Sequence, residues 1–256
     1  MTNLIDRMNL TGRNALVTGS SQGIGRAIAL TMAQSGANVL VHCRNETEAG
    51  QAVADEVSRL GVNSGLLEVD LMNSDAAQQL LDQATNRLGK IDILVLNASV
   101  QIKKDWLSIT ADEFTQQATV NWQRTFELMQ VFAPPMQTRS WGRILAIGSV
   151  QQLMPHPQMP VYAATKAAVL NLVRSLAAQL AKDGVTVNNL APGVIATDRN
   201  TDALSDKSYR EQLRSRIPVG YFGEPHDCAA LAALLCSEAG RYITGQDIFV
   251  DGGMSL

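Results

Sequence analysis

The chain has 256 residues, 21 Lys and Arg against 24 Asp and Glu, a net charge of −3 and 46% apolar residues. That balance offers no basic footprint for nucleic acid and no bias towards an anionic membrane. The apolar share suits a large core and argues against disorder, and no apolar run nears the ~18 residues of a membrane span. Residues 1–11 carry Asp6 and Arg7 and lack a signal-peptide core. Cys43, Cys228 and Cys236 form no CxxC pair, so they read as small buried hydrophobes in a reducing cytoplasm. His42, His156 and His226 form no ligand cluster, and no metal is expected.

Strand-like and helix-like segments alternate along the chain. Residues 14–18 form a short apolar run closed by Gly19, and 27–34 have helical spacing stopped by Gly36. Residues 38–42 read as a buried strand, 47–60 as a helix stopped by Gly61, and 64–69 as a strand. A helix over 74–88 has Ser74 as its N-cap and Gly89 as its stop, and 91–96 is the next strand. A mainly helical stretch runs from 111 to about 139, where Pro134 and Pro135 are set to break or kink it. Then follow a strand over 143–147, a helix over 161–182, a strand over 185–190, a helix over 227–237 and a strand over 246–250. Seven apolar strands separated by helices predict an α/β fold: one doubly wound domain, its parallel sheet covered on both faces. Residues 196–220 have weak periodicity and follow a strand's carboxyl end, so they are a candidate substrate lid.

After the first strand comes Thr18-Gly19-Ser20-Ser21-Gln22-Gly23-Ile24-Gly25. Glycines between a strand and a helix allow backbone to approach a pyrophosphate, at the positive end of the following helix. No Gly-Lys-Ser/Thr follows, so an ATP-cradling loop is not supported. The second strand ends in His42-Cys43-Arg44-Asn45. A carboxylate there would hold the adenosine ribose of NAD, whereas an arginine can pair with the 2′-phosphate of NADP, so NADP(H) is expected over NAD(H). Asp70 is placed to receive the adenine amino group or to cap a turn.

Tyr162 and Lys166 stand at i and i+4, on one face of a helix. A phenol sheds its proton only near pH ~10, and a neighbouring cation stabilises the phenolate. Ser149 lies thirteen residues before Tyr162, at the end of a strand, and Asn121 sits in the middle helical region, where an amide could break helix regularity and hold a water.

Together these pieces resemble the short-chain dehydrogenase/reductase family over nearly the whole chain, 12–253. The matches are Thr18 through Gly25, Asp70, Asn97-Ala98, Asn121, Ser149, Tyr162 with Lys166, Pro192-Gly193 with Thr197, Ile243 through Gln246 and Val250 through Gly253. The resemblance implies a Rossmann fold with a seven-stranded sheet and hydride transfer between a nicotinamide cofactor and a small carbonyl or alcohol. It implies that Tyr162 is the acid or base, Lys166 lowers its pKa and binds the nicotinamide ribose, Ser149 holds the oxyanion, and Asn121 keeps a relay water. The same resemblance assigns the cofactor to Gly19, Ser21, Gln22, Gly23, Ile24, Gly25, Arg44, Asn45, Asp70, Leu71, Asn97 and Ala98. Pro192, Gly193, Ile195 and Thr197 would clamp its nicotinamide end, and a homotetramer is implied. Where the family reads Asn-Asn-Ala-Gly, this chain has Leu96-Asn97-Ala98-Ser99.

Ser149, Gln151, His156 and Tyr162 are the candidate substrate contacts. Trp106 and Trp122 are expected in the core. Arg199, Arg210, Arg214 and Arg216 stand alongside Asp198, Asp202, Asp206 and Glu211, which reads as a mixed solvated face. The resemblance extends both to 3-oxoacyl-carrier-protein reductases and to sugar or polyol dehydrogenases; the reading taken is a carbonyl reductase of the 3-oxoacyl type, and an NAD(H)-dependent sugar, polyol or hydroxy-acid dehydrogenase is the alternative. Ser140 and Asp183 stand where carrier-protein reductases generally show arginines. A catalytically silent NADP-binding regulator is the alternative of another kind.

Overall fold

The computed structural model describes residues 3–200 and 205–256. Seven strands form one parallel sheet: β1 (Asn14–Val17), β2 (Asn38–Cys43), β3 (Ser64–Glu68), β4 (Ile93–Leu96), β5 (Gly142–Ile147), β6 (Val185–Pro192) and β7 (Asp247–Val250). Their order is β3-β2-β1-β4-β5-β6-β7. The direction of winding reverses between β1 and β4, which pair with Leu16 opposite Leu94. Such a switch opens a crevice beyond the carboxyl ends of the strands.

Alternating strand residues point to opposite faces, and each face buries a different set. Val17, Val39, Val95 and Leu145 join Ile28, Met32 and Ala232, which lie on α2 (Gly23–Gln34) and a late helix over Pro225–Leu235. Leu16, Leu40, Leu94 and Ile144 meet Leu80, Phe132 and Val173. Those three lie on α4 (Ala76–Leu88), α6 (Arg124–Thr138) and α7 (Pro160–Leu180). Among the described residues the remaining α-helices are α1 (Leu4–Met8), α3 (Thr47–Arg59), α5 (Ala111–Ala118), α8 (Lys207–Arg214) and the late helix, α9 (Pro225–Leu235).

Several expectations change. Asp75, not Ser74, occupies the N-cap position of α4, and its carboxylate accepts from Gln79 Nε2 at 2.8 Å instead of capping the backbone. Pro134 and Pro135 do not end α6, which runs on to Thr138; their missing N–H donors fall in its last two turns. Within the expected lid, α8 is a helix, capped by Asp206 Oδ1 accepting from the N–H groups of Ser208 and Tyr209 at 2.9 and 3.1 Å. Its sequence, KSYREQLR, offers only Tyr209 and Leu213, at i and i+4, as an apolar stripe. Trp106 and Trp122 are not core: they are 66% and 47% exposed on this chain.

Candidate active site

The loop after β1 is shaped by bonds to the strand ends beside it. Thr18 Oγ1 accepts from the N–H groups of Asn97 and Ala98 at 2.9 and 3.1 Å. Asn97 Nδ2 donates to the carbonyls of Thr18 and Gly19 at 2.9 and 2.8 Å. Gly19 has φ +60, and a Cβ there would stand 2.8 Å from Ala98 Cα. A Cβ on Gly25 would fall on the Gly19 carbonyl and, at 2.5 Å, on Asn97 Nδ2. Gln22 caps α2 without a side-chain bond, so it covers none of the helix's first-turn N–H groups. A glycine cradle aimed at uncovered helix N–H groups fits a pyrophosphate.

His42, at the end of β2, braces this loop, a role the sequence did not announce. Its Nδ1 accepts from Gly19 N–H at 3.0 Å, and its Nε2 stands 3.0 Å from the Val69 carbonyl. One acceptor and one donor nitrogen describe the neutral ring. Burial pushes the pKa of His42 down to about 4, against the smaller opposing effects of the Val69 bond, Glu46 and Asp70.

Beside it, Arg44 is exposed on the cleft wall. Glu46 is the nearby carboxylate that could favour a ribose instead, but it is turned onto its own loop. Its Oε2 accepts from the N–H groups of Arg44 and Asn45 at 3.2 and 3.3 Å. Burial raises the Glu46 carboxyl, yet these backbone bonds and the Arg44 charge together hold it below the usual range. Asn45 is not on the cleft wall; its Oδ1 accepts from Arg44 Nε at 3.3 Å. Asp70 lines the cleft and also caps a turn, accepting from Met72 N–H at 2.9 Å. Leu96 is buried in the core, and Ser99 lines the cleft.

The cleft, about 1360 Å³, continues from this loop to the ends of β5 and β6. Ser149 follows β5, and its Oγ accepts from Gln151 N–H at 3.2 Å. Pro160 opens α7, where its missing N–H costs nothing. Tyr162 and Lys166, in the first and second turns of that helix, are both buried and line the same cleft as Ser149. Lys166 Nζ donates to the Ile147 carbonyl at 2.6 Å and stands 5.6 Å from the Tyr162 ring centre. The sheet thus holds the ammonium beside the phenol from below.

Asn121 sits in a π turn, Thr119–Gln123, between α5 and α6. Such wide turns interrupt helix regularity and recur at functional sites. It lies behind the cleft wall. Its Oδ1 accepts from Val100 N–H at 2.7 Å, and its Nδ2 donates to the Val100 carbonyl at 2.8 Å and to Thr165 Oγ1 at 3.2 Å.

Pro192, which ends β6, and Gly193, Ile195 and Thr197 beyond it line the cleft. Asn200 Nδ2 donates to the Ile195 carbonyl at 2.7 Å, holding this segment in place. Among the sequence-predicted contacts, Ser21, Gln22, Ile24, Leu71, Asn97, Gln151 and His156 also line the cleft, and only Asn45 and Asn121 stand off it. Of the lid arginines, Arg216 lines it and Arg214 pairs with Glu211 at 2.6 Å. Asp202 lies outside the described residues. The three cysteines are free and buried, and burial pushes Cys228 and Cys236 up to about 12, away from reactivity.

The model of a family described as enoyl-(acyl carrier protein) reductase matches residues 19–255. The 3-oxoacyl-[acyl-carrier-protein] reductase FabG of Staphylococcus aureus is 37% identical over 244 residues, 95% of this chain and 98% of that protein. The chain belongs to the short-chain dehydrogenase/reductase family. Two solved relatives sharpen the placement. A 3-oxoacyl (acyl-carrier-protein) reductase from Agrobacterium tumefaciens C58 with NADP bound superposes with a TM-score of 0.94 at 38% identity, covering 98% of both chains. A gluconate 5-dehydrogenase from Burkholderia cenocepacia J2315, in complex with NADP and tartrate, does so with 0.93 at 34% identity, covering 99% of both. This short-chain dehydrogenase/reductase is an NAD(P)-dependent oxidoreductase. Among the described residues no helix is long and apolar enough to cross a membrane.

Proposed function

We propose that the protein interconverts a ketone and a secondary alcohol with NADP(H), using Ser149, Tyr162 and Lys166 at the reacting carbon and Asn121 behind them. The observation that carries this reading is the shared cleft: Tyr162 and Lys166 are buried together beside Ser149, at the far end of the glycine cradle. When bound, the nicotinamide supplies or accepts the hydride. The Tyr162 hydroxyl gives its proton to the carbonyl oxygen during reduction and takes it back during oxidation. Lys166, fixed on the Ile147 carbonyl, stabilises the phenolate left behind. Ser149 Oγ turns its proton towards the developing oxyanion, because its lone pair already accepts from Gln151 N–H. Asn121 clamps Val100 across the π turn and so fixes the loop after β4 against α7.

NADP(H) is favoured by Arg44 together with the self-bonded Glu46 carboxylate. Two substrate classes come from the relatives, 3-oxoacyl thioesters and sugar acids. The surface supports carrier-protein docking weakly: Arg139, beside Ser140, is turned inwards, donating to the Ile91 carbonyl at 2.7 Å. We also assign a homotetramer, with exposed Phe114 and Trp122 as candidates for burial between subunits; light scattering should give a mass near four subunits, and a one-subunit mass overturns it. The function is tested by NADPH oxidation against diketones, 3-oxoesters, keto-sugar acids and acyl thioesters. Turnover that Tyr162→Phe abolishes supports it, and turnover unaffected by that change refutes it.

A further inference from the structure

We propose that the substrate carries an anionic group, a carboxylate or a phosphate, held at the lid side of the cleft by Lys103, Arg216 and His156. This deepens the oxidoreductase reading and rests on it. The three residues come from three separate segments, the loop after β4, the loop after β5 and the end of α8, and all line the cleft that holds Tyr162 and Ser149.

The pairing of the neighbouring charges is what singles these residues out. Lys104 forms a salt bridge with Glu113 at 2.8 Å, and Arg214 pairs with Glu211 at 2.6 Å. Among the described residues, Lys103 and Arg216 have no salt-bridge partner. Lys103 instead places its ammonium 5.1 Å from the centre of the Tyr209 ring on α8. Of the cleft's acidic residues, Glu46 and Asp70 follow β2 and β3, and Asp198, in the lid segment after β6, is not among the charges that bear on His156.

His156 completes the group as a donor. Its Nδ1 accepts from Gln158 N–H at 3.1 Å, which leaves the proton of the neutral ring on Nε2. The loop that carries it is tied to the Lys103 segment by Lys104 N–H donating to the Gln158 carbonyl at 2.8 Å. Partial burial lowers the His156 pKa, and the charges of Lys103 and Arg216 lower it further. Two cations bearing on one imidazole, with no acid among the groups that shift it, form a site short of negative charge. An arriving anion would relieve that repulsion and gain charge-assisted hydrogen bonds.

The test uses pairs that differ only in charge: gluconate with gluconamide, and acetoacetate with acetoacetamide. A third pair, the acetoacetyl thioesters of phosphopantetheine and of pantetheine, reports on phosphate. Binding is read by calorimetry on protein loaded with the cofactor form that cannot react, so the result does not depend on turnover. At least one anionic member should bind about tenfold more tightly than its neutral partner. Lys103→Gln and Arg216→Gln should each shrink that ratio at least about threefold, and Lys103→Arg should restore it. The anionic ligand should also raise the His156 pKa in an NMR titration, whereas the neutral one should not. An acid preference assigns a carboxylate and a phosphopantetheine preference assigns a phosphate. Equal affinity within every pair, or a preference untouched by both substitutions, overturns the proposal. Loss of turnover with the anion preference intact refutes the oxidoreductase reading alone.

Discussion

The two ends of the cleft are built on different principles. At the glycine-rich end, backbone does the shaping. Asn97 and His42 bond to main-chain groups of the turn, Thr18 ties the turn to the backbone N–H groups of Asn97 and Ala98, and a Cβ at Gly19 or Gly25 has nowhere to go. At the lid end, side chains do it: Lys103 and Arg216 are exposed and His156 is only partly buried. Backbone bonds and missing Cβ atoms fix a single geometry, which suits a cofactor used in every turnover. Exposed side chains on loops can be exchanged at little structural cost, which suits the part that chooses a substrate.

Between the two ends sits the chemistry, where the largest effect is expected. Tyr162→Phe should lower kcat by about 10³-fold, in line with loss of a general acid, while NADPH affinity, read by fluorescence, stays within about threefold of the parent. At the glycine end, Gly19→Ala must adopt φ +60 against Ala98. It should cost about 1–3 kcal/mol in denaturant melts and weaken NADPH binding as well. Arg44→Ala should erode the preference for NADPH over NADH by about tenfold to a hundredfold, the value of a charge-assisted bond to phosphate. An unchanged ratio would make Arg44 a solvated bystander.

His42 sharpens the contrast through pH. Its pKa is about 4 in the folded protein against 6.5 for the free side chain. Between those values the unfolded chain holds the extra proton, so stability falls as pH drops through that window. The shift corresponds to about 3 kcal/mol, present above pH ~6.5 and lost towards pH ~4. His42→Gln should flatten that part of the stability profile in melts from pH 7 to 4. A profile as steep as the parent's would show that other groups set the acid limit.

Much of this was legible in the sequence because it rests on local rules. The seven strands are apolar runs bounded by turns, and the glycine loop and the Tyr162–Lys166 spacing are short-range patterns. What escaped depends on partners distant in the chain. His42 gains its role from Gly19 and Val69, which only the folded sheet brings to it. The lid arginines looked alike, and only pairing geometry separates Arg214, bound to Glu211, from Arg216 on the cleft wall. Helix α8 was hidden because it has almost no apolar stripe, and Trp106 and Trp122 were misplaced because an apolar side chain does not say which surface covers it.

The most direct test is to follow NADPH and NADH oxidation side by side against the ketone panel. The account predicts turnover, with NADPH consumed in preference to NADH. Demonstrable NADPH binding with no oxidation of either cofactor, across diketones, oxoesters, keto acids and thioesters, would contradict it and favour a protein that binds the cofactor without using it.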